Sequence, residues 1–167
     1  MDRVKRWCMV AGLVLAAGAL PARADLTVGA TAPDLVLHAL DGHDYSVAGL
    51  RGKVVIVTFW ASWCEPCRAE LPRLSQFARQ HAAQGVVVLG FALDGTDSLP
   101  QVRAMAASLS FPVGLLGSAW AGEYGRIWRI PVSFVIDRSG RLVYDGWKDS
   151  GQPIDDGKLS EYVVPIL

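Results

Sequence analysis

Cys64-Glu65-Pro66-Cys67 is the segment whose residue types and spacing can do chemistry. Two thiols separated by two residues can open and close one disulfide, because their sulfurs come within bonding distance inside a single turn. The pair follows an apolar, β-branched run, Val54–Trp60, and opens a stretch of helix formers, Glu65–Gln80. That order places Cys64 at a helix N-terminus, where unpaired N–H groups and the positive dipole end stabilise a thiolate. A thiol whose pKa is lowered in this way attacks disulfides. Cys64 is then the exposed, first-attacking sulfur, and Cys67, one turn inward, resolves the mixed disulfide. Pro66 suits the first helical turn, where no amide donor is needed.

Other uses of the pair are weaker. Two thiolates could hold Cu(I), and a zinc site would need two more ligands. His38, His43 and His81 lack ligand spacing, so no metal is expected. An inert disulfide closing so short a ring would gain little chain entropy. No Gly-x-Gly-x-x-Gly follows a strand, so no nicotinamide or flavin is expected. The cysteine pair is itself the redox group.

The elements around the pair read as one α/β domain over residues 25–167, with no repeat or linker. Leu35–His38 reads as a strand, Asp41-Gly42 as a turn and Asp44–Val47 as the return. Val54–Trp60 and Val86–Leu93 read as strands buried on both faces, with Glu65–Gln80 as their right-handed crossover. Pro72 should kink that helix. Helices are expected over Leu99–Leu109, Ser118–Arg126 and Ile154–Ile166. Further strands are expected over Pro112–Leu116, Pro131–Ile136 and Arg141–Trp147. Together they predict a mixed sheet with a parallel core, helices on both faces and a C-terminal hairpin.

Residues 1–24 have the three parts of a secretory signal: Arg3, Lys5 and Arg6, the apolar run Cys8–Leu20, and the small-x-small site Ala22-Arg23-Ala24. The apolar run is short for a membrane span, and an uncleaved anchor is the alternative. Cleavage before Asp25 removes Cys8 and leaves Cys64 and Cys67 as the remaining thiols. It also turns a formally neutral chain mildly acidic, by about three charges. Neither balance provides the basic surface that nucleic-acid binding needs.

The run Val57-Thr58-Phe59-Trp60-Ala61-Ser62-Trp63-Cys64-Glu65-Pro66-Cys67, with Pro72 beyond it, resembles the thioredoxin superfamily, and more narrowly its exported TlpA/ResA-like branch. Ala32-Pro33-Asp34 and Leu40-Asp41-Gly42 look like that branch's N-terminal hairpin. Ile130-Pro131 before Phe134-Val135-Ile136-Asp137 is similar to its proline loop. The resemblance spans nearly all of residues 29–167. It implies a thioredoxin-like fold, a cis bond at Pro131 and a substrate strand bound across Ile130, Trp63, Glu65 and Pro66. Thr58 stands where thioredoxins keep a buried acid. Glu70 matches an acid of this branch and shares a helix face with Cys67, which makes it a proton acceptor or pKa tuner. Trp60 and Trp63 are read as shielding the inner sulfur.

Glu65 between the cysteines opposes thiolate formation, which destabilises the reduced form and makes the couple more reducing. The sequence is therefore read as a periplasmic protein-disulfide reductase acting as a monomer. The resemblance suggests a membrane-embedded thiol reductant as electron donor. It also suggests apocytochrome c or copper-site cysteines as clients. A general oxidant or isomerase, and a Cu(I)-binding module, are the alternatives.

Overall fold

A computed structural model describes residues 26–149 and 151–167. The expected signal segment and cleavage site lie outside them. The strands are β1 (Val36–His38), β2 (Asp44–Ser46), β3 (Val54–Trp60), β4 (Val86–Ala92), β5 (Val113–Leu115), β6 (Val132–Ile136) and β7 (Leu142–Asp145). The helices are α1 (Glu65–Gln80), α2 (Leu99–Ala106) and α3 (Asp156–Lys158). β1 and β2 form a separate antiparallel hairpin. The other five strands form one sheet in the order β5-β4-β3-β6-β7. β3, β4 and β5 run parallel, and β6 and β7 are antiparallel to their neighbours. This is the thioredoxin-like arrangement, with an N-terminal hairpin added.

Every residue of β3 is buried, as a central strand covered on both faces must be. Alternation then sorts its side chains. Val54, Ile56 and Trp60 join α1, α2 and the C-terminal segment in one core. Val55, Val57 and Phe59 join β1, Phe91, Tyr124 and Phe134 in the other. α1, α2 and the residues flanking α3 share the first face. The second face is covered by the hairpin and by two 3-10 turns, Ala48–Leu50 and Gly122–Tyr124.

The Gly122–Tyr124 turn replaces the helix expected over Ser118–Arg126. Gly122 and Gly125 both take positive φ, which breaks a right-handed helix. The Ser118 hydroxyl accepts from the Trp120 N–H, and Trp120 bridges back to Arg126.

Two other helices are shorter than expected. The Ser108 hydroxyl bonds the Met105 carbonyl, and α2 ends at Ala106. At the C-terminus, Asp155 caps α3 by accepting from the Lys158 N–H, which leaves Ile154 outside it. The chain continues as a π turn, Leu159–Val163, and a 3-10 turn, Val164–Ile166. Pro165 cannot donate to a helical ladder, and the last turns leave α geometry around it. Pro72 does not end α1, which runs through it.

Candidate active site

β3 delivers the cysteine pair. The strand ends at Trp60, and Cys64 caps α1 after a short loop. Cys64 and Cys67 are joined by a disulfide, with Sγ atoms 2.06 Å and Cα atoms 5.3 Å apart. The Cys67 N–H donates to Cys64 Sγ at 3.3 Å, so the helix start already solvates that sulfur. Cys64 is 5% exposed and Cys67 0%. Access therefore favours Cys64, but only through a narrow opening, where a more exposed thiol is expected from the sequence. Pro66 sits in the first turn of α1, and the 67%-exposed Trp63 lies just before the pair.

β6 runs opposite to β3, so it begins at the end of the sheet where β3 finishes. That topology brings the Ile130–Pro131 segment to the cysteine end. The Ile130–Pro131 peptide bond is cis, Pro131 is buried and Ile130 half-buried.

The two glutamates differ sharply. Glu65 is exposed and pairs with the Arg68 guanidinium at 3.3 Å, so solvent and a counter-charge screen it. Glu70 is 1% exposed. Thr58 and Ser133 are direct partners across β3 and β6, on the face toward α1. Their hydroxyls both donate to Glu70 Oε1, at 3.1 and 2.8 Å. Oε2 accepts from the Ile154 N–H at 3.1 Å. Burial pushes the Glu70 carboxyl up from its ordinary range, and the two hydroxyls, the Ile154 N–H and Lys158 offset part of that rise. A carboxyl whose pKa is raised in this way binds a proton more tightly than an exposed one does.

Trp60 does not flank the opening beside Trp63. It lies on the α1 face of β3, fully buried in the core that contains both cysteines. Its Nε1–H is the one buried side-chain polar atom without a hydrogen-bond partner among the described residues.

Sequence reasoning missed Asp94, just beyond β4. Its carboxylate accepts from the Ser62 N–H at 2.9 Å and from the Ser62 hydroxyl. The Ser62 carbonyl in turn accepts from the Arg68 guanidinium at 3.2 Å. Three contacts thus pin the residue two before Cys64. The available signal was position: parallel strands present their functional groups beyond their C-terminal ends.

Among the described residues no group of three or more His, Cys, Asp or Glu could hold a metal ion. What the arrangement can do is exchange disulfides. It has a sulfur pair at a helix start, an unequal opening to solvent and a buried carboxyl one turn along α1 from the inner sulfur.

Known proteins share this plan. The AhpC/TSA family model matches residues 28–145. The thiol-disulfide oxidoreductase ResA of Bacillus thuringiensis is 31% identical over 133 residues, 79% of this chain and 76% of that protein. ResA of Geobacillus kaustophilus is 31% identical over 70% of this chain and 67% of its own length. A thioredoxin-family thiol:disulfide interchange protein of Chlorobium tepidum superposes with a TM-score of 0.70 at 31% identity, covering 86% of this chain and 99% of that one. StoA from Bacillus subtilis superposes with a TM-score of 0.60 at 26% identity, covering 78% and 96%. With the disulfide, the sheet order and these matches in hand, the chain belongs to the AhpC/TSA family and, within it, to the ResA/TlpA-like thioredoxin branch of thiol–disulfide oxidoreductases.

Proposed function

We propose that this protein works outside the cytoplasm and in the reducing direction, passing electrons from a protein dithiol to a client disulfide through Cys64 and Cys67. The reduced Cys64 thiolate attacks one sulfur of the client disulfide. A mixed disulfide forms, and the client's other sulfur leaves as a thiolate that takes a proton from water. Cys67 then gives its proton to Glu70, and its thiolate attacks Cys64 Sγ. That closes the Cys64–Cys67 disulfide and releases the second client thiolate. Two electrons pass from enzyme to client, and a dithiol reductant restores the pair.

The observation that carries this reading is the buried Glu70 carboxyl behind Cys67. A carboxylate in a low-dielectric site opposes a thiolate beside it, so the dithiol form is less stable and gives up electrons more readily. Glu70 supports this better than Glu65, whose charge is exposed and paired with Arg68. Ile130 and Pro131, with Trp63, Glu65 and Pro66, form the surface on which the client strand lies. Apocytochrome c haem-attachment cysteines and oxidised copper-site cysteines are the client classes, and a membrane-embedded dithiol protein is the donor. The segment 1–24 acts as the export signal.

Equilibration with a dithiol buffer tests the direction. The potential is expected nearer to thioredoxin, at about −270 mV, than to the strong oxidants at about −120 mV; a value above roughly −150 mV would overturn the reading. Trapping clients in cells on the Cys67→Ala variant, which cannot resolve its mixed disulfide, identifies the client class.

A further inference from the structure

The C-terminal segment supplies Glu70's third hydrogen bond, and the loop before it is held by the Arg129 guanidinium, which donates to the Asp149 carbonyl at 3.2 Å, and by a side chain from α3. Ile154 lies between β7 and α3, outside both. Its N–H reaches Glu70 Oε2 only if the loop before it is fixed. Lys158 does this from the α3 side. Its ammonium pairs with the Asp149 carboxylate and donates to the Gln152 carbonyl at 3.3 Å and the Pro153 carbonyl at 3.2 Å. Asp149 also accepts from the Tyr144 hydroxyl, which ties the same loop to β7. The Lys158 and Asp149 side chains are each only 18% exposed. An ammonium placed there, with three protein acceptors around it, is a built anchor and not a solvated surface charge.

We propose that Lys158 is a positioning residue for Glu70, holding Asp149, Gln152 and Pro153 so that the Ile154 N–H stays on the buried carboxyl. The inference rests on the reading of Glu70 as the proton acceptor for Cys67. Lys158 acts in two ways with the same sign. The Ile154 hydrogen bond favours the charged carboxyl, and the ammonium is a nearby cation that does the same. Other groups lie around Glu70 as well: Thr58 from β3, Ser133 from β6 and Tyr144 from β7, with Cys67 one turn before it on the buried side of α1. None of these is a cation. Lys158 is therefore the side chain able to offset the burial of Glu70 by charge. Nothing in its sequence position, 91 residues after Cys67 in a segment read only as a terminal helix, points to this.

The test is a double-mutant cycle on the full chain. The rate of Cys64 alkylation by iodoacetamide in the reduced protein is followed against pH, with far-UV circular dichroism as the folding check. Lys158→Met removes the charge and the donors but keeps an apolar stem. It is expected to move the Glu70-dependent inflection to higher pH, by about three- to tenfold in proton affinity. Lys158→Arg, which keeps the charge and several donors, is expected to restore most of the wild-type profile. In the Glu70→Gln background Lys158→Met is expected to change nothing. An equal shift in both backgrounds would reduce Lys158 to a structural strut and overturn the inference, as would no shift with Glu70 present. Should Lys158→Met not fold, Lys158→Gln is read in the same way, since it keeps two N–H donors and loses the charge. If Glu70→Gln alone leaves the profile unchanged, the Glu70 reading fails and this inference fails with it. If Glu70→Gln moves the profile and Lys158→Met does not, only the role of Lys158 falls.

Discussion

Val57, Thr58 and Phe59 are consecutive, all fully buried, and meet two unlike interiors. Phe59 stacks on Phe91 at 5.3 Å and meets Phe134 edge-on at 6.1 Å, in a core closed by Tyr124. Thr58, on the opposite face, donates to a carboxyl. The aromatic face carries polar groups only at its margins: the Tyr124 hydroxyl donates to the Pro33 carbonyl, and the carboxylate of Asp145, the cross-strand partner of Phe134, accepts from the Trp147 N–H and pairs with Lys148. The α1 face holds the disulfide, Glu70, Thr58 and Ser133. Burial alone thus does not mark a functional residue in this protein. One buried face stabilises the sheet, and the other accepts a costly carboxyl because three hydrogen bonds offset its desolvation.

Substitutions can break or sharpen that contrast. The largest effect is expected from Cys67→Ala: insulin-disulfide reduction should fall to background, with mixed disulfides accumulating through Cys64. Full turnover by this variant would remove Cys67 from the chemistry. Next comes Phe134→Ala on the aromatic face. It should cost about 3–5 kcal/mol by urea unfolding, with the reduction potential unchanged. A large change in potential would mean that the two faces are not separable.

Asp94→Ala strands the Ser62 N–H and hydroxyl and is expected to cost about 1–3 kcal/mol. It should also slow attack by Cys64, as read by single-turnover kinetics, because the loop before the cysteine loses its anchor.

Glu70→Gln sharpens the α1 face through its pH dependence. The glutamine can accept from the Ile154 N–H while its NH2 donates to the Thr58 and Ser133 hydroxyls, which rotate to accept. The variant therefore keeps its bonds and loses its charge. Burial raises the folded-state pKa of Glu70 above its ordinary 4.5. The folded form then binds the proton more tightly than the unfolded form. That contribution is full below pH 4.5 and is lost as pH rises through the raised folded value. Relative to wild type, Glu70→Gln should gain stability as pH rises above 4.5 and match it at lower pH. A parallel pH dependence in the two proteins would show that Glu70 is not the group responsible. The smallest effect is expected from Glu65→Gln, which should move the reduction potential less than Glu70→Gln. A larger shift would return the tuning role to the exposed carboxylate.

Much of the architecture was legible because its signals are periodic. The seven-residue run Val54–Trp60 reads as a doubly covered strand because β-branched and aromatic residues fill it without polar interruption. The Cys64–Cys67 spacing, set between that strand and a run of helix formers, places the pair at a helix start. Signals that depend on one or two residues failed. Gly122 and Gly125 turn an apparent helix into a 3-10 turn, since positive φ is a backbone choice that composition does not announce. Trp60 and Trp63 look equivalent in sequence. Strand alternation sends Trp60 into the core, while Trp63, in the loop, stays exposed.

The sequence by itself determined the redox pair and the face of α1 that Glu70 shares with Cys67, because each follows from residues within a few positions of one another, and it determined the family through short motifs spread from Ala32 to Asp137. Only the tertiary structure decided the environment of that carboxyl. Its partners Thr58, Ser133 and Ile154 come from 12, 63 and 84 positions away. Its position sealed under the C-terminal segment, with Lys158 above, depends on how β6, β7 and α3 pack. Chemistry of residue type is local and can be read from a chain; proton affinity depends on dielectric and hydrogen-bond partners, which exist only once distant segments meet.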